Sequence, residues 1–78
     1  MVNKKQRASK KIIKNNIRRL RFNADEMIQK ELADKVGASR QTIVAIEKGK
    51  YSPSLELAFK IADVFHQPIG EVFSYEEE

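Results

Sequence analysis

The chain reads as an all-α fold, a compact five-helix domain of 78 residues carrying a short strand near its C-terminal end. Three observations predict it. Apolar residues recur at helical spacing along most of the chain, as at Ile13, Ile17 and Leu20. The stretch from Gln29 to Lys50 reads as two short helices joined by a tight turn, with Gly37 free to take the positive φ that ends the first and Ser39 placed to cap the second. A chain this short buries only roughly 60% of the surface it exposes when unfolded, so its core must come from local helical packing.

Each element follows in order. Residues 1–11 form a basic arm, flexible in expectation, and the domain proper spans 12–75. The first helix carries the stripe Ile13, Ile17 and Leu20 and ends near Asn23. The second begins at Gln29 and buries Leu32, Ala33 and Val36, where the small Ala33 allows a close crossing. A third helix runs from about Arg40 to Glu47, is anchored by Ile43 and Ile46, and stops at Gly49. Tyr51-Ser52-Pro53-Ser54 is a turn and then a helix start, capped by Ser54 or by Ser52 before Pro53. The fourth helix runs to about Phe65 and closes the core with Leu55, Ala58, Ile61, Ala62 and Phe65. A short fifth helix from Pro68 buries Ile69, Val72 or Phe73, and residues 76–78 form an acidic frayed tail. No repeat, low-complexity linker or internal boundary interrupts this order.

Composition excludes several classes of function. Without cysteine there is no disulfide framework and no thiolate metal site. No apolar run approaches the ~20 residues of a membrane span, and the N-terminus lacks the apolar core of a signal peptide, so a cytoplasmic, nucleoid-associated protein with no membrane partner is expected. His66 is the sole histidine and makes no metal site by itself. Ser39 has no neighbouring base to activate it, and the glycines at 37, 49 and 70 each stand alone, so there is neither a nucleophile nor a phosphate loop. The expectation is a protein that is not an enzyme and needs no cofactor.

Charge is segregated along the chain. Residues 1–22 carry nine Lys or Arg and no acid, residues 23–51 carry five of each sign, and residues 52–78 carry one Lys against six acids. The basic end suits a polyanion, since each phosphate neutralised releases condensed counterions. A solubilising tail is the other reading of the arm, and sequence alone leaves both open.

Helix lengths, turn glycine, cap and isoleucine anchors together resemble the helix-turn-helix of the lambdoid phage repressor and Cro family, the xenobiotic-response-element regulators, over about Asn15 to Phe73. The resemblance implies that the third helix enters the major groove of double-stranded DNA and reads bases through Arg40, Gln41, Thr42 and Ala45. Those side chains suit the task. Arg can bond guanine O6 and N7 together, Gln adenine N6 and N7, and the methyls of Thr and Ala can meet thymine. By the same likeness Gln29 contacts phosphate and braces the reading helix, and the loop Lys48, Lys50, Tyr51 and Ser52 approaches the backbone, with Ser39, Arg18 and Arg19 as further phosphate candidates. Tyr51 has a second reading, packed over the loop with its hydroxyl in water. Family members pair an acid at the place of Glu47 with an Arg near the end of the first helix, here Arg21, which makes Glu47 structural. Val44 lies on the outer face, toward DNA or a partner.

Two departures stand out. Where the family places a capping Thr or Ser, this chain has Ile28, although Glu31 of the box is present. The connection from Phe22 to Ile28 is also one residue longer than in many members, which leaves the register of the first helix open.

One reading helix covers about half a site, so a two-fold dimer with half-sites ~34 Å apart is expected. Val72, Phe73 and Tyr75 are its candidate interface, as an edge strand pairing with its own copy. The alternative folds both aromatics back onto their own core. The function these readings imply is a transcriptional repressor binding a palindromic operator as a homodimer. The alternative is an antitoxin or co-regulator that autoregulates its operon while another surface binds a protein partner.

Overall fold

The structure, a computed structural model, describes residues 10–78, so all but the end of the basic arm lies outside the described residues. In chain order it comprises β1 (Lys11–Asn15), α1 (Ile17–Asn23), α2 (Gln29–Val36), α3 (Arg40–Glu47), α4 (Leu55–Val64), α5 (Ile69–Val72) and β2 (Phe73–Glu77). Five helices stand as expected, joined by a two-stranded antiparallel sheet. None of the helices is long and apolar enough to cross a membrane, among the described residues.

Ile17 from α1, Leu32, Ala33 and Val36 from α2, Ile43 and Ile46 from α3, Ile61 and Ala62 from α4, and Val72 from α5 form one buried cluster. Each fully buried Leu, Ile or Val in it contributes about 1.5–3 kcal/mol relative to exposure. Local chemistry sets the helix limits. Gly37 ends α2 at φ 72, Ser39 Oγ accepts the Thr42 amide at 3.0 Å to open α3, and Ser54 Oγ accepts the Leu57 amide at 3.1 Å to open α4. At the end of α3 the Gly49 amide bonds the Ile46 carbonyl and the Lys50 amide the Ala45 carbonyl, with Gly49 at φ 75, a Schellman closure.

The strand β1 corrects the reading of the N-terminal region. Ile13 lies in β1, not on the first helix, and the arm's last residue, Lys11, is already paired. Two asparagines explain the break. Asn15 Oδ1 accepts the Ile17 amide at 3.1 Å, while Asn16 donates from its backbone to the Val72 carbonyl at 2.9 Å and from Nδ2 to the Glu71 carbonyl at 3.1 Å. The local Asn15 bond starts α1 at Ile17, and the long-range Asn16 bonds tie that start to the end of α5.

β2 pairs with β1 of the same chain, in the register Lys11 with Glu77, Ile13 with Tyr75 and Asn15 with Phe73. The strand expected to seek a second copy therefore finds its partner internally. Opposite charges and a β-branched–aromatic pair face each other across it, which favours the pairing, and a partner within the chain carries no association entropy. Glu76 and Glu77, expected in a frayed tail, lie within β2. Val72, expected at an interface, is fully buried in its own core.

Two further points depart from or refine the expected pattern. Leu55 is 68% exposed, because the first turn of α4 overhangs the core that Ala58, Ile61 and Ala62 close. The long connection after α1 is absorbed by Asp25 and Glu26, both left-handed at φ 56 and 55, so that the Met27 amide still reaches the Arg21 carbonyl at 2.9 Å.

Candidate nucleic-acid interface

α3 is pinned by its inner face and by its end, which leaves its beginning free. Ile43 and Ile46 are buried, and Arg40 and Gln41 are exposed at the first turn. Thr42 and Ala45 are half-buried on the same helix. The Thr42 hydroxyl lies 2.9 Å from Ser39 Oγ, so the polar part of this side chain is engaged in the cap and its methyl group is the part left for contact. Ser39 therefore serves as cap and as the anchor of Thr42.

Glu47 gathers three elements. Its carboxylate takes Arg21 Nε at 2.7 Å and Arg21 Nη2 at 3.0 Å, and Gln29 Nε2 donates to it at 3.3 Å. Arg21 Nη1 also donates to the Met27 carbonyl at 2.7 Å. With Arg21 and Glu47 side chains 14% and 9% exposed, this is a bidentate, nearly buried pair whose remaining polar atoms are satisfied. It neutralises the acid and locks α3 to α1 and α2.

A concave surface of about 650 Å³ lies beside this network, and Arg18, Gln29, Lys30, Arg40, Val44 and Lys48 line it. It brings together two phosphate candidates from helices, one base-reading candidate and Lys48 from the end of α3. Lys30 carries no signal of this role in the sequence. It sits four residues before Asp34, its ion-pair partner at 3.0 Å, and nothing in that spacing distinguishes it from an ordinary solvated pair. Val44 borders this surface. Arg19 does not; it lines a separate shallow depression with Asn16 and Phe22.

The loop after α3 forms a second surface. Lys48, Gly49, Tyr51 and Ser52 line one side of a depression of about 520 Å³, and Lys11 and Ile12 of β1 line the other. Lys50, between them, is exposed, and so is Tyr51. The end of the basic arm is thus delivered beside the loop expected to meet the backbone, although the rest of the arm lies outside the described residues.

An exposed Arg-Gln helix end, held across a glycine-terminated turn and rimmed by cations, defines a DNA-binding protein of the helix-turn-helix class. The chain belongs to the lambda repressor/Cro-like helix-turn-helix family, whose helix-turn-helix model matches residues 17–72. Relatives agree. An uncharacterised HTH-type transcriptional regulator of Methanocaldococcus jannaschii is 60% identical over 52 residues, which is 67% of this chain and 79% of the relative. An HTH-type transcriptional regulator of Bacillus subtilis is 46% identical over 66 residues, 85% of this chain and 98% of the relative. The cryptic phage CTXphi transcriptional repressor RstR of Vibrio cholerae is 41% identical over 61 residues, 78% of this chain and 54% of the relative.

Proposed function

We propose that the protein is a transcriptional repressor that binds a palindromic operator as a homodimer, acting on DNA in the cytoplasm. The observation that carries this reading is the exposed pair Arg40 and Gln41 at the start of a helix whose far end is locked by the Arg21–Glu47–Gln29 network. A rigid helix presents its donors to a groove without an ordering cost, and two bidentate side chains give base discrimination. Thr42 and Ala45 add apolar contacts to thymine. Gln29, Ser39, Arg18, Lys48, Lys50, Tyr51 and Ser52 hold phosphates and set the register, with no sequence preference of their own. The repressor reading is supported by the name of the Vibrio cholerae relative.

The second copy packs, in this reading, against an apolar face in place of a strand edge. Ile13, Leu55, Ile69, Phe73 and Tyr75 surround a depression of about 380 Å³, and Tyr75 is 66% exposed. Phe73 and Tyr75 keep the role expected of them, while Ile13 and Leu55 take the place of Val72.

Selection of bound fragments from random DNA by the purified protein tests the whole reading. Two inverted half-sites with centres about one helical turn apart are expected. A single asymmetric motif would remove the dimer from the reading, and the absence of any motif would remove sequence-specific binding.

A further inference from the structure

Asn15 lies outside the helix-turn-helix, in the wall of the depression beside Lys48, Tyr51 and Ser52, and it makes the contact that joins the sheet to the end of the reading helix. Its Nδ2 donates to the Ile46 carbonyl at 3.0 Å and reaches the Glu47 carbonyl at 3.5 Å, while its Oδ1 accepts the Ile17 amide at 3.1 Å. In the sheet it stands opposite Phe73. One partly buried amide therefore links β1, the start of α1 and the last turn of α3.

The last turn of a helix has carbonyls without helical partners. Here the Gly49 amide takes the Ile46 carbonyl at 3.0 Å, and Asn15 supplies a second donor to the same oxygen. That carbonyl is the point from which the chain leaves α3 for Lys48, Lys50, Tyr51 and Ser52. We infer that Asn15 is a positioning residue for DNA reading, fixing the end of α3 and the backbone-facing loop relative to the body of the protein. The inference rests on α3 being the reading helix. It makes the terminal sheet a working part of the interface, because the strand that carries Asn15 is held in place by β2.

Loss of the donor frees the end of α3, and ordering it again on DNA weakens the specific complex, where helix and loop must fit together. Binding to arbitrary DNA, which relies on charge, is little affected. Two variants separate the bonds Asn15 makes. Asn15→Ala removes all of them. Asn15→Asp keeps the acceptor for the Ile17 amide, and so the start of α1, but lacks the donor. Val64→Ala, a half-buried change in α4 away from α3, is the control for general loss of stability.

The test measures affinity for the selected operator and for random-sequence DNA, at a temperature where circular dichroism shows every variant folded. Amide hydrogen exchange at Gly49 and Lys50 is read alongside. Both Asn15 variants should lose operator affinity by about tenfold, the equivalent of one or two hydrogen bonds. The random-DNA affinity of Asn15→Ala should change less than twofold, the charge of Asn15→Asp should further lower operator and random-DNA affinity alike so that its ratio still falls about tenfold, and both amides should exchange faster, while Val64→Ala keeps the wild-type ratio. If Asn15→Ala fails to fold, Asn15→Asp decides. A folded variant with the wild-type affinity ratio and unchanged exchange would overturn the inference. If the wild-type protein itself selects no motif, the reading of α3 has failed, and the role of Asn15 in DNA reading falls with it.

Discussion

Glu47 illustrates how one residue can be misjudged from charge alone. An acid on a helix beside DNA looks repulsive, but here two arginine nitrogens and the Gln29 amide surround its carboxylate. Glu47→Ala would leave Arg21 nearly buried without its partner, and breaking a buried pair in this way should cost about 3–5 kcal/mol in thermal or urea unfolding. A loss below about 1 kcal/mol would mean the network is dispensable. Ile28 gives a gentler case. Its amide already donates to Glu31 Oε1 at 3.1 Å, so half of the capping box exists, and the side chain is 57% exposed. Ile28→Thr should therefore raise stability by about 1 kcal/mol. At the reading end, Arg40→Ala and Gln41→Ala should each cost roughly 1–3 kcal/mol of operator affinity and relax preference at one base position. Lys50→Ala should weaken binding to all sequences alike and flatten the slope of log affinity against log salt by about 0.9.

Among elements, the helices were legible because their limits are written in local chemistry. Gly37, Ser39 and Ser54 act within four residues of where they stand, and Ile43 and Ile46 repeat at helical spacing. The Arg21–Glu47 pair was reached through family likeness, since no local rule joins two residues that far apart. The C-terminal strand is legible as a strand, but its partner β1 is not, for the same reason. Ile12 and Ile13 read equally well as the start of a helix, and only the distant Tyr75, Glu76 and Glu77 make a strand of them. The opposite charges of the two ends were the available signal, because Lys11 faces Glu77 and Lys14 lies 3.9 Å from Glu76. Surface pairs of this kind are worth little singly, so pairing rests on backbone bonds and on Ile13 against Tyr75. Deleting residues 73–78 should thus unpair β1 as well, and amide exchange at Ile12 and Lys14, whose amides face β2 in this register, should accelerate even in monomeric protein. Unchanged exchange there would show that β1 is held by something other than β2.

For the molecule as a whole, assembly is the open quantity, and the apolar face supplies its test. Leu55→Asp should yield a folded monomer in sedimentation, because its side chain is exposed, lies outside the core and takes no part in the pairing of the ribbon. A dimer that survives the change would place the contact elsewhere. Val72 shows why sequence could not choose between core and interface: an apolar residue at the end of a four-residue helix suits either, and only its full burial in the cluster that also holds Ile17 and Ile61 decides. Leu55 errs in the other direction, with core spacing but no core above it.

The antiparallel ribbon has a topological consequence. The Glu78 amide bonds the Lys10 carbonyl at 3.0 Å, so the described chain returns to where it started and is close to a ring. Lys10 and Glu78 lie side by side at the end of the ribbon. A ring can be opened where its backbone is strained, and the connection through Asp25 and Glu26, two left-handed residues without glycine, is such a place, at the loss of the Glu26 amide's bond to the Phe22 carbonyl. A circularly permuted chain, in which a short flexible linker replaces residues 1–9 and joins Glu78 to Lys10, reopened between Asp25 and Glu26, should keep the same helices and the same terminal ribbon, now as a hairpin of neighbours. Closing that hairpin would span a few residues instead of most of the chain, so the permutant should fold faster than the parent.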